Sequence, residues 1–512
     1  MTLAAKIEMG AIKTAVDVDL DVNIEYVPLH SLGVKPSGNA LTATADIRPA
    51  MGTLASLPDM MIMLFLETLD APDLRALSVT CRALYAFGRS EELWRALFIA
   101  KNIKDFIWRG SWFATYNNLP RSTVASPDCS SLYSDTLFRP FQCANINLAP
   151  FVTRIPKRNE IARLPDLSHE EFTEKWSDRP FILTEPVKAW PVYREWSTRD
   201  VLKKHGKKIF RAEAVDWKLR DYYEYMEDNL DESPLYLFDN KFVSTMGLRG
   251  PDSRTVHQSD GKDKNDSASS EAPSFWPPAC FGHDLFSVLG SMRPDHQWII
   301  IGPTRSGSSF HKDPNATSAW NAVLRGAKYW IMFPSKNNGD RNFTPPGVFV
   351  SDDQSEVTAP LSIAEWLSTF HAEARRTPGC LEGICGEGEI LHVPSGWWHL
   401  VVNLEPSVAI TQNFVPTKHL SAVLDFLKNK PDQVSGFRKD VCDKAFVEFV
   451  DRMKEAHPVL LQEGMKKLEE DEQRCNKKRK WDEVVHGGEE AAAGGFSFGF
   501  GDVDDGSDVE IP

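Results

Sequence analysis

Apolar residues recur at helical spacing in the first patterned stretch of the chain, from Leu57 to Leu97. Leucines and a tryptophan are separated there by three, four or seven residues, which predicts short amphipathic helices that bury one face. Pro58 and Pro72 stand where two of these helices are expected to begin, because proline is tolerated in the first helical turn. The pattern therefore predicts a small all-α domain over residues 53–101.

A different pattern begins near residue 140, where short apolar runs replace the helical spacing. Residues 180–184, 209–212 and 235–238 are such runs, and their length and their aromatic or β-branched content are typical of strands. A second β-rich block extends from Trp298 to Phe414. The fold class predicted for this part is therefore α+β, with helices flanking a large β-structure.

Changes in composition divide the rest of the chain. A stretch rich in Ser, Asp, Lys and Gly interrupts the β-rich part and has little to bury, so we expect it to be disordered. The end of the chain combines a basic run, a Gly/Phe stretch and acidic residues. The predicted segments are a flexible leader (1–52), the helical domain (53–101), a connector (102–139), the mixed domain (140–416) with its disordered insertion (251–275), C-terminal helices (417–470) and a disordered tail (471–512).

Charge and cysteine content narrow the class of protein. The formal net charge of −14 over 512 residues argues against binding of nucleic acid along the whole surface, and suits basic partners. The eight cysteines include no CxxC pair, so reduced thiols are expected rather than zinc or disulfides, although Cys380 and Cys385 are near enough to pair across a turn.

The chain shows no secretion signal, and the apolar run Met60–Leu66 is too short to cross a bilayer. We expect a soluble intracellular protein.

The sequence around His311 contains a candidate metal site. Successive side chains of a strand point to opposite faces, so His311 and Asp313 share one face while Lys312 points away. His399 is the best third ligand, because it follows an apolar strand and a Pro-Ser-Gly turn. Two histidines and one carboxylate on one side of Fe(II) leave positions open for a cosubstrate and dioxygen. His392 is the rival ligand, and it is more simply interpreted as a core or strand-end histidine.

Lys328 lies in the second of two strands predicted over residues 317–334. The strands are joined at Arg325-Gly326, and the neighbours of Lys328 are aromatic and aliphatic. A lysine is ordinarily expected on the solvent face. A buried lysine becomes favourable here if a dicarboxylate cosubstrate neutralises its charge.

These motifs together resemble a known family. The block from Trp298 to Phe414 is similar to the JmjC hydroxylases of the phosphatidylserine-receptor type, which comprise a lysyl hydroxylase and proposed arginine demethylase group. The resemblance implies a JmjC/cupin double-stranded β-helix, and it extends upstream to about residue 140. The stretches that carry it are Gly-Pro-Thr-Arg-Ser-Gly (302–307), His-Lys-Asp-Pro (311–314), Thr-Ser-Ala-Trp-Asn-Ala (317–322), Val-Pro-Ser-Gly-Trp-Trp-His (393–399), Ala-Ile-Thr-Gln-Asn-Phe (409–414) and Ser-Pro-Leu-Tyr-Leu-Phe-Asp (233–239).

The resemblance also implies roles for individual residues. It implies Fe(II) ligands at His311, Asp313 and His399, contacts to the cosubstrate 2-oxoglutarate from Lys328, Asn321, Thr411 and Ser308, and a pocket lined by Tyr236 and Trp298. The family usually has Thr where this chain has Ser308, so the hydroxyl is kept and the methyl is lost. For Tyr236 and Trp298 an ordinary role as core aromatics is an equal alternative.

Residues 54–101 resemble an F-box, a short helical module that docks on Skp1 of cullin-type ubiquitin ligases. The resemblance rests on Leu57-Pro58, Asp73-Leu74, Thr80-Cys81-Arg82-Ala83-Leu84 and Leu93-Trp94-Arg95. This module is foreign to the hydroxylase group named above. A helical hairpin that packs on the catalytic domain is the alternative interpretation.

The expected function is that of an Fe(II)- and 2-oxoglutarate-dependent dioxygenase that hydroxylates or demethylates lysine or arginine side chains of basic proteins. The alternative is a catalytically inactive JmjC/F-box adaptor that recruits substrates to a ubiquitin ligase. The basic run Lys477–Lys480 predicts nuclear localisation, with or without a cytoplasmic pool. No membrane or nucleic-acid partner is indicated.

Overall fold

A computed structural model describes residues 28–250, 273–336, 342–351, 357–359 and 361–486. The chain divides into two compact units, one of Met1–Asp284 with Asp295–Pro416, the other of Leu285–Pro294 with Thr417–Pro512. Most of the insertion predicted at 251–275 lies outside the described residues, as does the end of the tail after His486.

All the strands found among the described residues lie in the first unit. They are β1 (Ala162–Leu164), β2 (Phe181–Leu183), β3 (Ile209–Ala212), β4 (Val215–Lys218), β5 (Leu237–Asp239), β6 (Gln297–Gly302), β7 (Gly307–His311), β8 (Ser318–Arg325), β9 (Lys328–Phe333), β10 (Phe349–Val350), β11 (Val357–Thr358), β12 (Leu381–Cys385), β13 (Ile390–Val393), β14 (Trp398–Asn403) and β15 (Ser407–Phe414).

Helices surround these strands in the first unit and form the described part of the second. Those of the first unit are α1 (Asp59–Glu67), α2 (Ala71–Ser78), α3 (Arg82–Gly88), α4 (Glu91–Ala100), α5 (Trp112–Tyr116), α6 (Asp135–Ala144), α7 (Ala149–Val152), α8 (His169–Glu171), α9 (Pro191–Glu195), α10 (Thr198–His205), α11 (Leu219–Glu227), α12 (Phe242–Met246) and α13 (Ile363–Arg376). Those of the second are α14 (Leu420–Asn429), α15 (Lys439–Cys442), α16 (Ala445–Ala456) and α17 (Pro458–His486).

Two sheets form the barrel, and β10 and β11 pair in a separate two-stranded sheet. The larger sheet has the strand order β1-β2-β13-β8-β15-β6-β5-β3-β4, and the smaller has the order β12-β9-β14-β7. From β6 to β9, and again from β12 to β15, the chain passes between the two sheets, which is the winding of a double-stranded β-helix. The predicted α+β class and JmjC/cupin barrel are therefore confirmed.

A shared apolar core fills the space between the sheets. Val323 and Leu391 of the larger sheet meet Trp330 and Val401 of the smaller sheet in one buried cluster. The outer face of the smaller sheet is covered by α13, and the outer face of β8 and β15 in the larger sheet packs in a separate apolar cluster. The strands β8, β9, β14 and β15 are therefore buried along nearly their whole lengths. Burial on both faces explains why these strands are nearly continuous apolar runs in the sequence.

The outer face of β9 is fixed by a charged network next to Lys328. The Tyr329 hydroxyl and the Arg375 guanidinium of α13 both bond to the buried carboxylate of Glu382. Burial alone would raise the pKa of Glu382, but bonds from His371, Arg375 and Tyr329 lower it to about 2. The network therefore stays ionised at neutral pH and ties β9 and β12 to α13.

The N-terminal helices begin where the prolines predict. Pro58 precedes α1, and the carboxylate of Asp70 caps α2 by accepting a bond from the backbone N–H of Asp73. The leucine-rich faces of these helices are buried in one cluster that also contains residues of the larger sheet and its helices. The helical domain therefore packs directly on the barrel unit.

Two segments expected to lack structure are partly ordered. In the leader, Val34 and Met51 are buried and 3₁₀ turns occupy Ser37–Thr42 and Arg48–Ser56. In the tail, α17 runs past residue 470, where Glu472 pairs with Lys428 of α14. Two isolated buried residues in the leader and one ion pair in the tail change the local composition very little. Composition alone therefore does not predict the order of these two segments.

The remaining expectations concern thiols and membranes. Cys380 and Cys385, like the other five cysteines whose side chains are described, are free thiols. Among the described residues no single helix is long and apolar enough to span a membrane, although the bent pair Arg48–Ser56 and Asp59–Glu67 passes by length and composition.

Candidate active site

His311 and His399 are brought together by strand pairing. They stand directly opposite each other in the antiparallel pair of β7 and β14, with ring centroids 4.1 Å apart. The Nδ1 atom of His311 lies 2.8 Å from the carbonyl of Ser309, and that of His399 lies 3.0 Å from the carbonyl of Trp397. A carbonyl can only accept, so Nδ1 carries the proton in both rings. Each Nε2 is left with a free lone pair, the arrangement of a metal-binding histidine.

Asp313 completes the set two residues after β7 ends. Its backbone is still extended, with φ −63° and ψ 146°, so successive side chains continue to point to opposite faces beyond the end of the strand. One ligand atom from each of His311, Asp313 and His399 lies within 4.8 Å of the others. Lys312 points away and places its ammonium 4.4 Å from the centre of the Trp398 ring.

The electrostatics of the three residues suit a cation. Burial raises the pKa of Asp313, and Oδ2 is buried with no hydrogen-bond partner in the described part of the chain. Burial, with the neighbouring His311, lowers the pKa of His399 well below its usual value, which keeps the ring neutral. Two imidazoles whose Nδ1 atoms face backbone carbonyls and one carboxylate oxygen without a donor are the donor set that Fe(II) takes, with further positions left open. The residues therefore fit the metal.

Ser308 reaches the same face through a β-bulge. Simple alternation along β7 would put Ser308 and His311 on opposite faces. The register shifts between His399 and Val401, so that Ser308 lies opposite Val401 while His311 lies opposite His399. Opposite residues of an antiparallel pair share a face, and one extra residue in β7 thus turns both side chains inward.

Lys328 is fully buried on the inner side of β9, at the end of the barrel nearest β5. Its ammonium donates to the Tyr236 hydroxyl at 2.6 Å and to Oδ1 of Asn403 at 2.8 Å. Both partners are neutral, and burial lowers the pKa of Lys328 to about 7. A carboxylate placed beside it would restore the ordinary pKa, since an opposite charge favours the charged form. The site therefore fits one end of a dicarboxylate such as 2-oxoglutarate.

Asn321, Thr411 and Trp298 lie side by side across the larger sheet. Thr411 is paired with Asn321 on one side and with Trp298 on the other. Oδ1 of Asn321 is buried without a partner in the described residues, while the Thr411 hydroxyl donates to the carbonyl of Trp320. Trp298 is half-buried against Phe238. These positions put polar groups on the inner wall that faces Lys328 and the histidines.

His392 lies away from this site. It is fully buried in β13, its ring nitrogens face the carbonyls of Ala319 and Ser177, and it packs against Phe181. Its position is that of a core histidine.

Two polar residues of the site escaped the sequence reasoning. Asn403 accepts from Lys328 and donates to the Ser306 hydroxyl at 2.9 Å, and Asn413 bonds to Asp313 and to Thr317. Period-2 alternation from His399 through Val401 reaches Asn403, and the same period from Thr411 reaches Asn413. This spacing is visible in the sequence, but it identifies Asn403 and Asn413 only once the strands and their inward faces are known.

A two-sheet barrel with two histidines and one aspartate at one end of its interior defines the cupin-like class. Residues 169–419 match the family described as a cupin-like domain, and residues 54–100 match the F-box-like family. The arginine-specific demethylase JMJ22 of Arabidopsis thaliana is 37% identical to this chain, over 86% of this chain and 85% of that protein. The chain therefore belongs to the JmjC 2-oxoglutarate- and iron-dependent oxygenase family, and it carries an F-box-like domain.

Two further relatives are more distant. The bifunctional arginine demethylase and lysyl-hydroxylase psr-1 of Caenorhabditis elegans is 29% identical over 62% of this chain and 72% of that protein. The 2-oxoglutarate and iron-dependent oxygenase JMJD4 of Danio rerio is 32% identical over 29% of this chain and 32% of that protein.

Replacing a ligand should strongly weaken metal binding without unfolding the chain. We expect His311→Ala to weaken Fe(II) or Mn(II) binding by about 100-fold or more, because even the outer partners of metal ligands cost about 10–100-fold. Metal content per folded molecule, measured by elemental analysis after dialysis, checks this. His392→Asn is the matched control and should lower stability but keep the metal. Equal metal content in both variants would contradict the assignment.

Proposed function

We propose that this protein hydroxylates or demethylates lysine or arginine side chains of basic proteins, using Fe(II) and 2-oxoglutarate. The observation that carries the proposal is a fully buried lysine with neutral partners in the same barrel interior as a His-Asp-His set. When bound, the iron with 2-oxoglutarate and dioxygen supplies the oxidising chemistry that places oxygen in a C–H bond. The protein contributes placement and exclusion of water.

Each residue of the site has a distinct task in this proposal. His311, Asp313 and His399 would hold the metal, with Nδ1 of each ring fixed by a backbone carbonyl. Lys328 would bind the distal carboxylate of 2-oxoglutarate by a charge-assisted hydrogen bond. The apolar walls of the barrel exclude water from the reacting atoms.

Asn321, Thr411 and Ser308 would supply the remaining polar contacts to the cosubstrate. Asn321 has a buried oxygen to be satisfied. Ser308 replaces the usual threonine and keeps its hydroxyl on the inner face. Tyr236 contacts Lys328 directly, whereas Trp298 is half-buried and lies opposite Thr411 on the neighbouring strand.

The substrate class is supported by the acidic character of the chain. Its formal net charge of −14 suits basic partners. The names of JMJ22 and psr-1 describe arginine demethylation and lysyl hydroxylation, and either reaction suits a cationic substrate.

Mass spectrometry of basic peptides separates the two reactions and tests the site. With Fe(II), 2-oxoglutarate and wild type, we expect either one added oxygen on lysine or loss of methyl groups from methylated arginine or lysine. Lys328→Met should lower product formation by about 100-fold at low 2-oxoglutarate, since it removes the charged anchor. Lys312→Met, on the opposite face, is the matched control and should retain activity. Identical spectra for wild type, Lys328→Met and His311→Ala would favour the inactive adaptor.

We also propose that the F-box-like domain binds Skp1. Met60, Met61, Leu64 and Phe65 of α1 are 62%, 51%, 48% and 41% exposed, which forms an apolar strip on a helix that otherwise packs inward. Contiguous exposed apolar residues of this kind mark protein contacts. The F-box resemblance and the family match over 54–100 identify the partner class.

Charged substitutions on this strip should weaken the interaction with Skp1. Leu64→Asp with Phe65→Asp is expected to reduce Skp1 co-purification by about tenfold or more, because a contact would bury two unpaired carboxylates. Val447→Asp changes a comparably exposed valine of α16 and is the control. Undiminished capture by the double variant would rule out this strip as the contact.

Nuclear localisation is a further proposal, supported by the basic run Lys477–Lys480 in the last turns of α17. Replacing the four residues by alanine should move a fluorescently tagged chain out of the nucleus, as judged by microscopy. Unchanged nuclear signal would remove the support for this role.

A further inference from the structure

A short segment, residues 231–237, contains Tyr236, whose side chain contacts Lys328. The Tyr236 hydroxyl accepts from the ammonium at 2.6 Å, and its ring lies 5.1 Å from the same nitrogen. The ring packs over Gly302, where an added Cβ would lie 2.6 Å from the ring. The position of this phenol therefore depends on where the backbone of the segment is held.

Glu213 holds that backbone at Tyr236 itself. Its Oε1 accepts from the backbone N–H of Tyr236 at 3.3 Å. Glu213 lies in the turn between β3 and β4 with a φ of +49°, a left-handed conformation that is unfavourable for a non-glycine residue. Its carbonyl also accepts from the Arg211 side chain at 2.7 Å. These contacts keep a strained residue in place and orient its carboxylate toward the segment.

Arg95, at the end of the F-box-like domain, holds both Glu213 and the segment. It lies on α4 and donates to Oε2 of Glu213 at 2.9 Å and to the carbonyl of Ser233 at 3.0 Å, with Oδ2 of Asp231 at 3.9 Å. The side chain is 21% exposed, so these charges are only partly screened by water. One guanidinium thus connects three points that lie 118 to 138 residues away in the chain.

We infer that Arg95 is a positioning residue for the 2-oxoglutarate pocket, so that the F-box-like domain is a working part of the oxygenase. The connection runs from Arg95 to Glu213, from Glu213 to the backbone of Tyr236, and from the Tyr236 hydroxyl to Lys328. It rests on the proposed function, since it assigns a task to the lysine pocket of that site.

Replacement of Arg95 should weaken the binding of 2-oxoglutarate and leave the binding of the metal unchanged. Without the guanidinium, the Glu213 side chain, already 47% exposed, is free to turn to solvent. The backbone N–H of Tyr236 then loses its carboxylate acceptor, and the phenol that contacts Lys328 is held less firmly. The metal residues belong to β7, β14 and the turn after β7, so their geometry does not depend on segment 231–237.

The test is calorimetric titration of 2-oxoglutarate into the Mn(II)-loaded full chain. Arg95→Gln is expected to bind 2-oxoglutarate about tenfold more weakly, with Mn(II) affinity unchanged. Tenfold is the smaller end of the loss seen when a residue that only supports a binding residue is replaced. Arg95→Lys keeps the charge and should recover part of the loss. Lys104→Gln is the matched control, because Lys104 pairs with Asp216 of the same β3–β4 hairpin and does not reach the segment; it should bind as wild type does.

The outcomes separate the two levels of the proposal. If wild type fails to bind 2-oxoglutarate, the proposed function itself is wrong. If wild type binds and Arg95→Gln binds equally well, only the role of Arg95 is overturned, and the same holds if Lys104→Gln weakens binding to the same extent. Should Arg95→Gln fail to fold by circular dichroism, Glu213→Ala removes the next contact of the same connection and must show the same selective loss.

Discussion

The register of β14 is the constraint on which the rest of the site depends. This strand pairs with β7 on one side, where His399 meets His311, and with β9 on the other, where Asn403 meets Lys328. His399 and Asn403 are four positions apart in the strand, which fixes about 13 Å between their Cα atoms at the usual rise per residue. A slip of one residue would turn His399 and Asn403 outward together. Burial of both faces of β14 makes such a slip costly.

The sequence is sufficient to predict the parts of this site that depend on local periodicity. Alternation correctly puts His311 and Asp313 on one face and Lys312 on the other, and the apolar surroundings indicate a buried Lys328. Alternation fails for Ser308, because the bulge in β7 arises from pairing with β14. Pairing is a property of two distant strands, and no single stretch of sequence contains it.

Contacts between distant segments were beyond sequence reasoning for the same reason. Nothing near Arg95 indicates a carboxylate partner at Glu213, since the two residues are 118 positions apart. The two interpretations of residues 54–101 also proved compatible. One helix, α1, leaves an apolar strip exposed, while α4 packs on the barrel, so an F-box-like module can be part of the enzyme and still present a face to a partner.

The energetics of the barrel interior weigh against the inactive adaptor. A buried ammonium with only neutral partners and a buried carboxylate oxygen with no donor each destabilise the fold, by about 1–3 kcal/mol or more. An apolar residue at 328 would remove the first cost, because replacing buried charge with well-packed hydrophobic side chains is often stabilising. A protein that bound neither anion nor cation would gain nothing in return for these two groups. A dicarboxylate beside Lys328 and a metal beside Asp313 offset both costs at once, and they do so in the same interior, with the hydroxyl of Ser308 and the amide of Asn321 facing the space between them.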